Sequence, residues 1–111
     1  MRRTLALCAA LLLIPVLSVA TVIRVPNDVT AIDDALLVAA PFDTILVASG
    51  TYYVNLEWPS TAGIKFLTET GPLMTILDGR DDVQVVGIYT GVDTTTIVRG
   101  FTIRNGHAEG Q

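Results

Sequence analysis

Asp43-Thr44-Ile45-Leu46-Val47-Ala48-Ser49-Gly50-Thr51-Tyr52-Tyr53 is the stretch whose reading decides the fold. Positions 45–48 are continuously apolar, follow a helix-like run and are closed by Ser49-Gly50, the pattern of a strand covered on both faces. Apolar strands then recur at a nearly fixed interval. Ile45, Ile64, Val83 and Ile103 mark them at steps of 19, 19 and 20 residues, and an interleaved series of Val54, Ile76 and Ile97 follows at steps of 22 and 21. Two interleaved series with one period describe a coil, because repeats of about 20 to 50 residues mark solenoids and arrays. A small antiparallel sandwich with evenly spaced strands is the competing reading. The periodicity favours an all-β parallel β-helix in which Ile45, Ile64 and Val83 stack as successive rungs.

The chain of 111 residues offers one domain at most. Residues 1–20 have the three parts of a secretory leader: Arg2-Arg3, an apolar centre over 5–17, and Ser18-Val19-Ala20 as a small-x-small cleavage site. Cleavage is expected after Ala20, leaving 21–111 as the folded part. An uncleaved membrane anchor competes with this, but the apolar run is shorter than the roughly 18 residues a span needs and contains Pro15. Cys8 follows Leu7 where a lipoprotein leader wants a small residue, so lipid attachment is not expected. The expected destination is outside the cell, at its surface or in a periplasm, with no membrane contact once the leader is gone. Cleavage would also remove the only cysteine and with it any internal disulfide.

Of the 7 basic and 11 acidic residues, Arg2 and Arg3 lie in the leader, so the remainder carries five against eleven, a net charge of −6. No basic patch is left to hold nucleic acid. The same charge repels a polyanionic sugar chain unless a cation bridges the two.

In chain order, Thr21-Val22-Ile23-Arg24-Val25 reads as a short strand stopped by Pro26-Asn27-Asp28. The period then changes. Over 30–40, Ile32, Ala35, Leu36 and Ala39 share one helical face, Thr30 is the expected N-cap, Asp33 and Asp34 fall in the first turn, and Pro41 ends the helix. A lone amphipathic helix ahead of stacked strands has an evident task, to cover the apolar end of the stack. Turns follow at residues 59–63, Gly71-Pro72, 78–82, 91–93 and Asn105-Gly106. Asn-Gly and Asp-Gly suit hairpins, but in a coil they turn the corners between strands.

Val25-Pro26-Asn27-Asp28, the helix with Ala35 and Ala39-Ala40, the 43–52 stretch, Thr75-Ile76-Leu77-Asp78-Gly79 and Gly100-Phe101-Thr102-Ile103-Arg104-Asn105-Gly106 together resemble the opening of right-handed parallel β-helix proteins of the pectin-lyase-like superfamily. The likeness spans residues 22–107. That superfamily includes pectate lyases, polygalacturonases and pectin methylesterases as well as non-catalytic surface proteins, so the resemblance implies a secreted protein that binds or processes polysaccharide, or else an extracellular scaffold or adhesin-like protein. A closer kinship with pectin methylesterases would require Glu where Gly50-Thr51-Tyr52-Tyr53-Val54 has Val54. The catalytic motifs of these enzymes lie in later coils, and no catalytic group can be named here. The sequence reaches Gly110-Gln111 just after a rung, with nothing that reads as a C-terminal cap. It therefore reads as the truncated N-terminal piece of a longer β-helix, whose last edge is covered by further coils or by self-association.

Among residues able to do chemistry, acidic groups lead. Asp78, Asp81, Asp82 and Asp93 sit near glycine turns, where carboxylates can ligate Ca²⁺ and bridge to an acidic sugar. The turn chemistry of Asp78 and a solvated corner at Asp81-Asp82 account for them better than a metal does. The Asp-x-Asn-x-Asp-Gly loop and the Gly-Gly-x-Gly-x-Asp repeat are both missing from the sequence, so no cofactor is evident and Ca²⁺ rests on Asp78, Asp81 and Asp82 alone. Trp58, set before Pro59, is expected at the surface as a stacking face for a sugar ring, with Arg99 and Arg104 as forked donors to a carboxylate. Tyr52 is expected to pack at the corner after Gly50, Tyr53 is a further aromatic, His107 an exposed loop residue, and Asn105 a structural amide bonding between coils.

Overall fold

The computed structural model describes residues 19–88 and 92–107. Nearly all of the expected leader, residues 1–18, lies outside them. Nine short strands and one helix follow in order: β1 (Val22–Val25), α1 (Ile32–Val38), β2 (Thr44–Val47), β3 (Gly50–Tyr53), β4 (Leu56–Glu57), β5 (Lys65–Thr68), β6 (Thr75–Asp78), β7 (Val86–Gly87), β8 (Ile97–Arg99) and β9 (Thr102–Arg104). Every pairing is parallel, in three sheets ordered β1-β2-β5-β8, β3-β6-β9 and β4-β7. Successive strands along the chain belong to different sheets, and each pairs with its counterpart one circuit later. This is a parallel β-solenoid of about three turns.

The register corrects the rungs expected from the sequence. Ile45 pairs with Ile23 on one side and Phe66 on the other, and Phe66 pairs with Val98. Ile64 is buried just ahead of β5, and Val83 lies in no strand. Val86 belongs to the third sheet, opposite Leu56, and Ile103 to the second, opposite Leu77. Steps between partners are thus 21 and 32 residues in the first sheet (Ile45 to Phe66 to Val98) and 25 and 26 in the second (Thr51 to Ile76 to Thr102). The even 19-residue period is a coincidence of unequal corners. Corner loops project outward, where added length raises closure entropy only slowly, so nothing holds them to one size.

Alternation along each strand sends one set of side chains inward. Val25, Ile45, Val47, Leu56, Trp58, Ile64, Phe66, Leu77 and Val85 form one apolar core with Ile32, Ala35 and Leu36 of the helix. The helix packs on β1, β2 and β4 and so closes the β1 end of that core. It is shorter than expected. Ala31 occupies the N-cap position with no side-chain bond, in place of Thr30. The chain enters from a reversal in which Asp28 and Val29 N–H donate to the Arg24 carbonyl, while Asp28 Oδ2 accepts the Arg24 N–H. Burial of one face therefore holds this seven-residue helix, with Asp33 and Asp34 aiding its first turn.

The opposite end is open among the described residues. Val98 and Ile103 continue the inward ladders Ile23-Ile45-Phe66 and Tyr52-Leu77, yet they are 41% and 52% exposed. Phe101 stacks on Phe66 at 4.3 Å between ring centres and partly shields this end, while Trp58 meets Phe66 edge-on at 5.7 Å.

Two outcomes test this packing. Phe66→Ala is expected to destabilise by about 3–5 kcal/mol in urea unfolding, whereas Thr51→Ala on the exposed outer face should stay within about 0.5 kcal/mol; equal effects would mean that Phe66 does not anchor the core. Residues 21–111 are expected to self-associate or precipitate through the open end, and Ile103→Lys should shift sedimentation towards monomer. A monodisperse wild-type monomer would contradict that.

Candidate functional site

The most connected polar group on the outer face is the Asp78 carboxylate. Asp78 ends β6, and the register sets it in a rank with Tyr53 of β3 and Arg104 of β9. Strand alternation points this rank outward, yet Asp78 is only 5% exposed. Its Oδ1 accepts the Arg80 backbone N–H at 2.7 Å, its Oδ2 accepts Arg104 Nε–H at 3.0 Å, and the Asn105 amide donates towards both oxygens at 3.2 Å. These donors explain the charge state. The Arg80 N–H foremost, then the Arg104 and Asn105 side chains, hold the carboxyl below the usual carboxylate range, against burial, which pushes the other way.

Gly79 makes this corner possible. A Cβ there would lie 2.6 Å from the Val83 carbonyl oxygen and 2.7 Å from that of Asn105, inside van der Waals contact with backbone. The loop continues through Arg80 and Asp81, both at positive φ, and Asp81 N–H donates to the Asn105 carbonyl at 2.8 Å. Backbone and side chains of one coil are thereby tied to the next.

Beside the corner lies a groove of about 290 Å³ lined by Tyr53, Asn55, Arg80 and Asp82 among others. The Arg80 guanidinium sits 3.8 Å above the centre of the Tyr53 ring, a cation–π contact on an exposed face. A ring, a planar cation, an amide and a carboxylate converge there, the kinds of group that meet a sugar's apolar face and hydroxyls. The sequence reading did not foresee the Tyr53–Arg80 pair, because it is formed between coils.

The other expected residues fall in varied places. Trp58 corrects the expectation outright: it is 5% exposed, part of the core, and has no face to offer a sugar. Its backbone N–H donates to the Gly87 carbonyl at 2.8 Å, so it extends the β4 ladder with its side chain inward like that of Leu56. Arg99 is exposed at the end of β8, and Arg104 is half-exposed but engaged with Asp78. Asp81 and Asp82 are exposed. Asp93 accepts the Thr95 hydroxyl and N–H within its own turn, and these two bonds hold its carboxyl below the ordinary range, the hydroxyl most of all. Among the described residues no group of three or more His, Cys, Asp or Glu side chains is placed to hold a metal ion. His107 is exposed, its backbone N–H on the Val83 carbonyl, and borders an apolar hollow with Val85, Val86 and Ile103 at the open end. Tyr52 packs against Gly50 and donates its hydroxyl to the Ala48 carbonyl at 2.7 Å; burial pushes its phenol up, with Glu69 adding to the shift. Asn105 bonds between coils, as its turn position suggested.

A second buried carboxylate stands at the other end. Asp43, also 5% exposed, accepts the Thr21 N–H on Oδ1 and the Ala40 N–H on Oδ2, each at 2.9 Å. The Thr21 N–H foremost holds its carboxyl below the usual range, opposed by burial.

Comparison with known proteins adds no relative: no family profile, no curated protein and no solved structure matches the chain.

A carboxyl whose pKa is depressed by folding contributes stability in full above its unfolded value, and that contribution is lost as the pH falls through the folded value. Asp78→Asn is accordingly expected to lower the urea midpoint at pH 7, and the gap from wild type should close as the pH is lowered from about 5 towards 2. A gap that stays constant over this range would show that the Asp78 charge is not what binds Arg104 and Asn105.

Proposed function

We propose that this chain forms the capped first coils of a right-handed parallel β-helix of the pectin-lyase-like kind, in an exported protein that binds or processes polysaccharide. The observation that carries the reading is the three-sheet parallel coil with a helix over one end and an open apolar interior at the other. The segments that resemble the superfamily correspond to structural junctions: residues 43–52 run from the corner after α1 through most of β3, Thr75-Ile76-Leu77-Asp78-Gly79 is β6 with its tight corner, and 100–106 is the β9 rung. Right-handedness is the sense that parallel β crossovers almost always take. The open end would receive a further coil, whose strands would pair with β8 and β9 and cover Val98 and Ile103. On the outer face, Tyr53 with Arg80 offers a stacking platform, and Arg99 is a cation free of any ion pair found among the described residues.

A second reading is favoured by one feature. Asp78, Arg104 and Asn105 direct their polar atoms at one another, as a cross-coil tie in an extracellular scaffold or adhesin-like protein would.

Calorimetric titration of the exported protein with oligogalacturonides and with neutral gluco-oligosaccharides separates the two. Binding to either is expected, weakened about three- to tenfold by Tyr53→Ala; salt sensitivity lost in Arg99→Ala would mark an acidic sugar. Folded protein that binds neither class at millimolar sugar would exclude the carbohydrate reading of these coils and leave the scaffold.

A further inference from the structure

Asp43 stands out among the buried polar groups because its partners are neutral. The ion pairs among the described residues are Arg24 with Glu69 and Arg104 with Asp78, and neither involves Asp43. A buried carboxylate held only by neutral donors, here two backbone N–H groups and the Thr21 side chain, is less well compensated than one that also meets a cation. One of its donors is the nitrogen of Thr21, the residue that follows Ser18-Val19-Ala20. The two segments are clasped from both sides, since the Thr44 N–H returns a bond to the Thr21 carbonyl at 2.9 Å.

We propose that cleavage after Ala20 completes this clasp: the Thr21 nitrogen, already 2.9 Å from Asp43 Oδ1, becomes an α-ammonium and forms an ion pair with Asp43 that locks β1 onto the first coil. The inference rests on the reading of residues 1–20 as a leader. Hydrolysis adds one water across the Ala20–Thr21 bond. Its oxygen goes to the Ala20 carbonyl carbon, which leaves as a carboxylate, and both hydrogens end on the Thr21 nitrogen, which becomes –NH₃⁺. The same atom in the same place thus changes from a neutral donor to a charged one, and charge-assisted bonds are about twice as strong as neutral ones. Val19 and Ala20 form part of the wall of a hollow of about 450 Å³ beside Asp43. Their departure leaves room to hydrate the remaining ammonium protons while one stays on Asp43.

The effect is local to the capped end. Thr21 leads into β1, whose Ile23 and Val25 pair with Ile45 and Val47 and whose next residues lead to α1. A fixed amine at Thr21 therefore secures the strand that carries the cap. Charged side chains on the neighbouring elements are Arg24 on β1, Asp33 and Asp34 on α1, and Lys65 on β5, whose backbone N–H donates to the Asp43 carbonyl.

The test begins with the intact mass of the exported protein, which reads the terminus directly. Chains beginning at Thr21, and chains with one extra alanine ahead of Thr21, all carrying Ile103→Lys to suppress association through the open end, are then released from a cleavable fusion, each with and without Asp43→Asn. The Thr21-terminal chain is expected to melt about 5 °C or more above the extended one at pH 6, and Asp43→Asn should erase that difference. Should Asp43→Asn fail to fold, the amines decide. After cleavage only the Thr21 α-amine, Lys65 and the introduced lysine remain, and the α-amine is expected to titrate above the ordinary range of about 7.7–8.0. An amine raised in this way contributes stability fully below its unfolded pKa and loses it as the pH rises through the folded value, so the melting gap should shrink in alkali. Equal melting temperatures with an ordinary amine titration would overturn the clasp while leaving the leader reading intact. A mass that begins at a residue other than Thr21 would overturn both.

Discussion

Parallel hydrogen bonding between one circuit of backbone and the next is the constraint from which the rest of this structure follows. Strands of two to four residues bury little on their own and become stable only when their N–H and C=O groups are matched by a neighbour about 4.8 Å away. Each coil therefore inherits its shape from the one before. Inward residues fall into ladders such as Ile23-Ile45-Phe66-Val98, and a corner must turn wherever the previous coil turned. The two ends of the stack are physically unlike its middle, since each offers a partnerless edge and an apolar cross-section. At one end α1 meets that requirement with Ile32, Ala35 and Leu36. At the other, Val98 and Ile103 have the inward positions of a core without its burial.

Two buried carboxylates act where the stacked backbone cannot satisfy itself. Asp43 gathers N–H groups from the segments ahead of β1 and after α1, and Asp78 gathers the Arg80 N–H together with side chains from the following coil. Both are anionic for the same reason: hydrogen bonds outweigh desolvation. They bind coil to coil at the corners, as the ladders do along the strands. This is also why the Asp78 carboxylate at its glycine turn speaks first of architecture here.

Trp58 shows which parts of the site were legible. Val54-Asn55-Leu56-Glu57-Trp58 alternates strictly between apolar and polar residues, a strand signal that directs the tryptophan to the same face as Leu56. Pro59 drew the reading towards an exposed loop instead. The role of Asn105 could be read because a turn amide in a coil has the next coil as its natural partner. The Thr21–Asp43 bond and the Tyr53–Arg80 contact could not, because they join residues more than twenty positions apart through corners of unequal length.

The sequence alone determined that short apolar strands alternate with turns and that one short amphipathic helix lies between the first strand and the rest; parallel coiling was inferred from a spacing that the register does not keep and from the resemblance of whole segments. Local period, turn residues and apolar runs are properties of neighbouring positions, and they survive any change in loop length. Only the tertiary structure decided which rung lies on which, that there are three sheets, and which carboxylates are buried. Register between coils is set by inward side chains meeting across the stack, and outward loops of unequal length lie between them, so spacing along the chain does not reveal which residues are partners.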